Sequence, residues 1–323
     1  MPKAFFLKRI RKTQFFIYFS QKTMIEQITH KNMRKFLFFI FLIGFCTSIF
    51  GQYTDIINSN QPGNSQSAYA LGKKVLQFEG GLWVENRKHT HTHTNMFISG
   101  LNYTVRYGYF SNKLEFMLQG ALIYDYTQQN RFITTTQSHF GFYNHTLGAK
   151  YLIYNPYFEN KPNLYSWKAN HSFNWNNMIP AVAIYAGVNA FPNERYFYSG
   201  IAPFSPKVVL ALQSHPSPRT ALIGNIIANR FTTQYPEWGY VLTLTHNLDN
   251  GRFSIFAESE GIQSQWYSDH IIRLGGAYLF TKDIQVNIDL GASWKDTPSR
   301  YIALLGFSYR IDKYDKFLPQ EKK

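Results

Sequence analysis

The chain has 323 residues, a formal net charge of +14 at pH 7 and an aromatic content of 18%. Residues 1–35 carry eight of the net positive charges, and the later basic residues are dispersed among acidic ones, which excludes the basic stripe of a nucleic-acid-binding protein. No apolar run of about 18 residues follows Gly51, which excludes membrane-spanning helices from the rest of the chain.

Residues 33–51 have the organisation of a signal peptide. They begin with Arg34 and Lys35, continue with an apolar run, and end with small and polar residues. The run is shorter than the ~20 residues that a spanning helix needs. We predict export of the chain, with residues 1–32 as translated upstream sequence or an extended basic region of the signal. The single cysteine, Cys46, lies in the signal, so we expect no disulfide or thiol chemistry in the exported protein.

Apolar and polar residues alternate in repeated segments along the remaining chain. The clearest segment runs from Ile284 to Trp294, and its two sets of side chains would project to opposite faces of a strand. Alternating segments of roughly ten residues with aromatic ends are typical of barrels that span the outer membrane. We predict strands at 75–85, 96–108, 113–126, 144–155, 177–190, 206–213, 219–229, 237–248, 252–262, 269–280, 284–295 and 300–311.

These segments predict one all-β domain, an antiparallel up-and-down barrel of about twelve strands in contact with outer-membrane lipid. A backbone in lipid must satisfy its own hydrogen bonds, and closing the sheet achieves this. The barrel would cover 75–311, after a periplasmic segment at 52–74 and before a charged tail at 312–323. Residues 156–176 are too long for a tight turn and could hold another strand pair or a helix, which leaves ten to fourteen strands open.

The connections between predicted strands alternate in character. Compact turns with Asn, Asp, Gly or Pro would lie at the periplasmic end. Longer polar connections would be extracellular, and the aromatic cluster in 191–205 makes that loop the best candidate to fold over the mouth. The predicted extracellular loops are 86–95, 127–143, 191–205, 230–236, 263–268 and 296–299.

Residues 57–85 carry a recognisable opening motif, a proline and two serines followed by Gly and then Gln-x-Glu-x-Gly. This motif resembles the start of the bacterial outer-membrane family of MetA-pathway phenol-degradation transporters. The resemblance implies a monomeric barrel that passes small molecules across the outer membrane, with phenolic substrates suggested by the family name. Asn60 and Gln61 stand where the family has Asp and Arg. The matching residues are Pro62, Ser65, Ser67, Gly72, Gln77, Glu79 and Gly81.

Two further resemblances concern partners. Residues 67–72 are similar to the Asn-Pro-Ala-Tyr-Ala-Gly element of a barrel family associated with type IX secretion, which implies a structural or adaptor role. The last predicted strand contains Gly306-x-x-Tyr309-x-Ile311, which resembles the terminal-strand signal read by the barrel-assembly machinery. Ile311 stands where that signal usually has an aromatic residue.

Charged residues on the polar faces of the strands must point inward, because Arg or Lys facing lipid would cost about 2–4 kcal/mol near the membrane midplane. They could form a mixed-charge constriction that filters polar solutes, or an ion-pair core that fills a narrow barrel. We expect the mid-strand residues among them to form an internal network. The set is Glu79, Arg106, Glu115, Asp125, Lys150, Glu258, Glu260, Arg273, Asp289, Lys295 and Arg310.

His89, His91 and His93 alternate with threonines and are the only candidate metal ligands that the sequence groups together. In an extended strand their imidazoles would share one face, a spacing that could hold Zn or Cu. No carboxylate or cysteine accompanies them, so we favour a solvated polar loop and predict no cofactor.

A hydrolytic enzyme is the other chemical alternative, since some outer-membrane barrels are lipases. Such an enzyme needs a serine beside a histidine base. Ser138 and His139, like His171 and Ser172, are adjacent in sequence, so their side chains would point to opposite faces of a strand. We therefore predict no enzymatic activity.

Two functions from different classes remain. The first is a passive or facilitated channel for small molecules, among them aromatic or apolar ones. The second is a structural or adaptor barrel with a plugged lumen and partner-binding loops. The aromatic residues at strand ends favour interfacial girdles over a ligand-stacking ladder. They are Tyr103, Tyr107, Tyr109, Tyr124, Tyr126, Tyr151, Trp294 and Tyr301.

Overall fold

A computed structural model describes residues 56–130, 134–156, 178–190, 203–248 and 251–312. Twelve antiparallel strands in these residues close into one barrel in which each strand pairs with its neighbours in sequence, and β12 pairs with β1. The predicted fold is confirmed. None of the described residues form a helix long and apolar enough to cross a membrane. The strands are β1 (Val75–His89), β2 (Thr94–Gly108), β3 (Leu114–Asn130), β4 (Thr134–Tyr154), β5 (Ala181–Ala190), β6 (Phe204–Ser217), β7 (Thr220–Asn229), β8 (Glu237–Asn247), β9 (Phe253–Ser264), β10 (Ser268–Thr281), β11 (Ile284–Ser293) and β12 (Ser299–Asp312).

The alternation along each strand separates an apolar outer face from a more polar inner face. In β8, Val241 and Thr243 are buried inside the barrel, whereas Leu242 and Leu244 are about half exposed on the outside. The same period of two holds in the other strands, because successive side chains of a strand point to opposite sides. The outer surface is therefore suited to lipid. The predicted interfacial residues that are exposed there are Tyr107, Tyr109, Tyr124, Tyr126, Trp294 and Tyr301.

The two ends of the barrel differ. The start of β1, the end of β12 and short connections such as Ser217–Thr220 and Thr281–Ile284 lie at one end, which we call the turn end. The connections β1–β2, β7–β8, β9–β10 and β11–β12 lie at the other, which we call the loop end. Because the strands alternate in direction, every odd connection is at the loop end.

The predicted loop 127–143 is wrong for most of its length. β3 continues to Asn130 and β4 begins at Thr134, and the two strands pair up to these residues. Both faces of this extension are polar and exposed, so the alternation that marks a half-buried strand is missing from its sequence. The predicted loop 86–95 is likewise shorter, because β1 reaches His89 and β2 starts at Thr94.

Several predicted segments lie outside the described residues. They include the signal peptide at 33–51, the upstream extension at 1–32, and all of the tail 312–323 except Asp312, which ends β12. The long connection 156–176 and residues 191–202 of the candidate mouth loop also fall outside, apart from residue 156.

Candidate functional site

Residues 57–72 lie inside the barrel, and we call them the inner segment. The backbone NH of Ile57 donates to the carbonyl of Lys282 in the β10–β11 turn (2.8 Å), and the NH of Lys74 donates to the carbonyl of Gly108 at the end of β2 (2.7 Å). Both contacts are at the turn end. The inner segment therefore enters the lumen at the turn end and returns there before β1 begins.

The backbone of the inner segment is held mainly by polar side chains of the barrel wall. The NH of Gly63 donates to Asp289 (3.1 Å), and the NH of Asn64 donates to both carboxylate oxygens of Glu258 (3.0 and 3.1 Å). On the far side, Gln66 exchanges two hydrogen bonds with the side-chain amide of Asn225 (2.6 and 2.9 Å). Strands from opposite sides of the barrel thus bind the same short segment.

The return of the inner segment combines polar and apolar contacts. Ser67 Oγ and the NH of Ala68 both donate to Gln213 Oε1 (2.8 and 3.2 Å). Ala68 is fully buried against a small apolar cluster from β4, β5 and β6 that includes Leu152. The NH of Leu71 donates to Glu115 (2.7 Å). Residues 66–72 are therefore anchored by packing as well as by hydrogen bonds.

Four of the predicted charged residues form one buried cluster. Arg106 contacts Glu79 (2.9 Å) and Glu115 (3.0 Å), and Lys150 contacts Glu115 (2.8 Å). Both cations also donate to the inner segment, Arg106 to the carbonyl of Asn58 and Lys150 to that of Ser67 (2.7 Å each). Since every partner of Arg106 is buried, the cluster holds charges that would be costly to leave unpaired.

A second cluster lies on the opposite wall. Arg273 contacts Glu258 (3.0 Å) and Glu260, and Glu260 also accepts a hydrogen bond from the Asn64 side chain (3.2 Å). Asp289 is not paired with a cation there but accepts from Asn287 (2.9 Å). Together the two clusters contain most of the predicted charged set, including the mid-strand residues expected to form a network.

The remaining predicted residues lie apart from these clusters. Arg310 donates to Asp283 in the β10–β11 turn (2.7 Å), and Asp125 is buried towards the loop end of β3. Lys295 donates to Ser268 at the loop end. These residues do not contact the inner segment through any of these bonds.

The structure brings together a charged cluster at the loop end that sequence reasoning missed. Arg300 donates to Glu85 (2.7 and 2.9 Å) and to Asp269 (3.1 Å), and Arg87 donates to Glu85 (2.8 Å). Tyr267 donates to Asp269 (2.5 Å), and its burial together with this bond raises the pKa of the Tyr267 phenol to about 12. Several of these residues fall in predicted loops; the i, i+2 spacing of Glu85 and Arg87 was the available signal.

Two cavities lie between the loop end and the inner segment. The mouth cavity has a volume of about 690 Å³ and is lined by residues such as Arg87, Glu237 and Arg300. The middle cavity has a volume of about 380 Å³, with the inner segment on one side and Val209 and Val241 on its wall. Within the described part of the chain, the two cavities share lining residues, so they form one path that ends at the inner segment.

A model of the family described as "Putative MetA-pathway of phenol degradation" matches residues 59–311. The chain belongs to this family. The matched range begins in the inner segment, where the motif residues Pro62, Ser65, Ser67 and Gly72 lie. The family resemblance predicted from these residues is confirmed, and its opening motif is now placed inside the lumen.

Solved structures support the fold of this family member. The COG4313 outer membrane channel from Pseudomonas putida F1 aligns with a TM-score of 0.51 at 13% identity, covering 78% of this chain and 99% of that one. The CymD monoaromatic hydrocarbon channel (TM-score 0.40, 8% identity, 74% and 88% coverage) and the KdgM porin (0.41, 10%, 72% and 99%) are more distant. A comparison with curated proteins found no match. A closed barrel with an apolar outer surface is an integral protein of the outer membrane.

The candidate metal and catalytic residues of this family member do not assemble into sites. Residues 90–93 form a turn in which His93 has φ +51°, so the three histidines are not aligned along a strand. Among the described residues, no three His, Cys, Asp or Glu side chains are grouped to hold a metal ion. Ser138 and His139 are neighbours in β4, and residues 171–172 are outside the described part.

Gly63→Ala is expected to loosen the inner segment without removing a charge. Gly63 has φ +88°, and a Cβ there would lie 2.3 Å from Glu258 Oε2. Backbone strain and this overlap together oppose the bonds to Asp289 and Glu258. Hydrogen exchange of residues 57–72 should become faster in the variant. The control is Gly251→Ala, where φ is +65° but nothing lies within 4 Å; equal exchange in both variants would contradict this assignment.

Proposed function

We propose that the protein is a gated diffusion channel for small molecules that carry aromatic or apolar groups. The observation that supports this most directly is the path of two joined cavities from the loop end to the inner segment. Cavities of this size fall in the range of about 300–1,000 Å³ typical of small-molecule sites.

The lumen wall supports solutes that are partly apolar. Met117, Tyr185 and Val209 form a buried inward cluster with Ile227 packed against it, and Val241 is buried nearby on β8. Asparagine, glutamine and threonine side chains line the rest of the middle cavity. A ring with one polar substituent suits such a wall. The family description, which names phenol degradation, agrees with this class of solute.

Passage requires the inner segment to move, and residues 58–64 are the part suited to do so. They are held by hydrogen bonds to side chains such as Glu79, Glu258 and Asp289. Residues 66–72, by contrast, are anchored through Ala68 in the apolar cluster. Segments with few apolar contacts open at low free energy. The gate of the channel is therefore residues 58–64.

Val241→Trp is expected to reduce uptake several-fold by filling the middle cavity. Val241 is 1% exposed and lines this cavity, whereas the next residue, Leu242, is exposed on the outer face. The measurement is the initial rate of radiolabelled phenol uptake by cells that lack other porins and express the full chain. Leu242→Trp is the matched control and should transport normally. Equal rates in the two variants would contradict the lumen path.

We also infer that the protein is not an enzyme. The comparisons group it by fold with a channel, and the adjacent Ser138 and His139 lie on one extended strand, where their side chains diverge. Hydrolysis of a short-chain ester by the purified protein, lost in Ser138→Ala, would contradict this inference.

A structural or adaptor role is the second candidate, and the occupied turn-end half of the lumen favours it. In that case the inner segment would be a permanent plug, and the polar β3–β4 extension, which includes Thr134, would bind a partner. Phenol uptake that is the same with and without the protein, together with a partner that co-purifies only when residues 127–138 are present, would support this candidate. Assembly by the barrel-assembly machinery, read from the Gly306 to Ile311 signal, is a further proposal.

A further inference from the structure

The two cavities meet at a junction formed by the five residues that line both of them. These residues are Tyr143, Asn144, Lys207, Ile227 and Glu260. Any solute that travels from the mouth to the inner segment must pass these side chains. Their chemistry is therefore decisive for what the channel accepts, and this inference rests on the proposed function.

A β-bulge places Tyr143 at the junction. His145 pairs with Gly120 and Phe142 pairs with Leu122, so the two residues between them, Tyr143 and Asn144, face a single residue of β3. A bulge of this kind re-aims side chains and is often found near functional sites. Here it brings the aromatic ring of Tyr143 into the wall of both cavities, although its segment was predicted to be an external loop.

Lys207 supplies the junction with a cation whose hydrogen-bonding capacity the barrel does not use. Its ammonium group has three donors, yet it makes no hydrogen bond or ion pair with any described residue. The nearby carboxylates act on its charge but are bound elsewhere: Glu237 by Arg230 (2.7 Å) and Glu260 by Arg273. By contrast, the cations Arg87 and Arg300 of the mouth cavity are both paired with Glu85.

We propose that the junction is a binding site for an aromatic acid that carries one carboxylate. Lys207 would donate to the carboxylate, while Tyr143 and Ile227 contact the ring. An ammonium group is most favourably satisfied by an anionic oxygen, and an aromatic ring pairs well with another in offset or edge-on geometry. A dianion would be repelled by Glu237 and Glu260, so a single negative charge fits this site.

The test is ligand-observed NMR saturation transfer with benzoate, using protein purified from outer membranes of cells that express the full chain. Benzyl alcohol is the neutral ligand of matched size. We expect wild-type protein to bind benzoate more tightly than benzyl alcohol, and Lys207→Gln to weaken benzoate binding about tenfold or more while benzyl alcohol is unaffected. Lys207→Arg should keep most of the binding, and Tyr143→Leu should weaken both ligands.

Lys88→Gln is the control, because Lys88 is an exposed lysine at the same end of β1. Benzoate binding that is unchanged in Lys207→Gln, or equal for the two ligands, would overturn the assignment even if phenol uptake is normal. Lysine-dependent benzoate binding by a protein that transports nothing would leave the site standing and reject the channel. Heat-modifiable migration of each variant establishes that it is folded.

Discussion

Arg106→Met is expected to destabilise the barrel by about 3–5 kcal/mol, the cost of removing one partner from a buried ion pair. Arg106 is fully buried, and its loss leaves the carboxylates of Glu79 and Glu115 with only Lys150 and neutral donors nearby. It also removes the bond to the carbonyl of Asn58, so the inner segment should loosen. The measurement is urea-induced unfolding in lipid vesicles, followed by tryptophan fluorescence.

The control for this prediction is Arg87→Met. The Arg87 side chain is 34% exposed, and its partner Glu85 keeps two bonds from Arg300, so the change should cost less than about 1 kcal/mol. A double variant that combines Arg106→Met with Glu115→Gln should be more stable than the sum of the single changes implies, because it removes one of the orphaned charges. Similar stability of Arg106→Met and Arg87→Met would show that the buried cluster does not hold the barrel.

The barrel could be predicted from the sequence because lipid imposes a simple rule on each strand. An outward residue must be apolar, so charged residues such as Glu258 and Arg273 had to face inward, and the alternation fixed both the strands and the inner face. The same rule does not apply beyond the membrane. The β3–β4 extension, polar on both faces, was therefore taken for a loop.

The interior of the barrel could not be predicted in the same way. The inner segment has no regular period, and its position depends on contacts with strands far away in sequence, such as Gln66 with Asn225. A segment that precedes the first strand looks the same in sequence whether it hangs free or folds into the lumen. The junction was missed for a related reason: the inward position of Tyr143 depends on a bulge, which shifts the alternation locally.

A disulfide that locks the inner segment is expected to close the channel. Ser59 on the inner segment and Ser308 on β12 have side-chain oxygens 2.8 Å apart, so cysteines at both positions are placed to form a bond after a small adjustment. The chain's single cysteine, Cys46, lies in the predicted signal, so no competing thiol is expected in the exported protein. The lock would hold residues 58–64 without altering any charge in the lumen.

The most direct test of the gate is the single-channel conductance of the Ser59→Cys, Ser308→Cys double variant in a planar bilayer, measured before and after reduction. The account predicts a closed channel when the disulfide is formed, conductance that returns when a reductant is added, and no response to reductant in Ser59→Cys alone. Identical conductance in the oxidised and reduced double variant, with the disulfide verified by mass spectrometry, would contradict the claim that the inner segment is the gate.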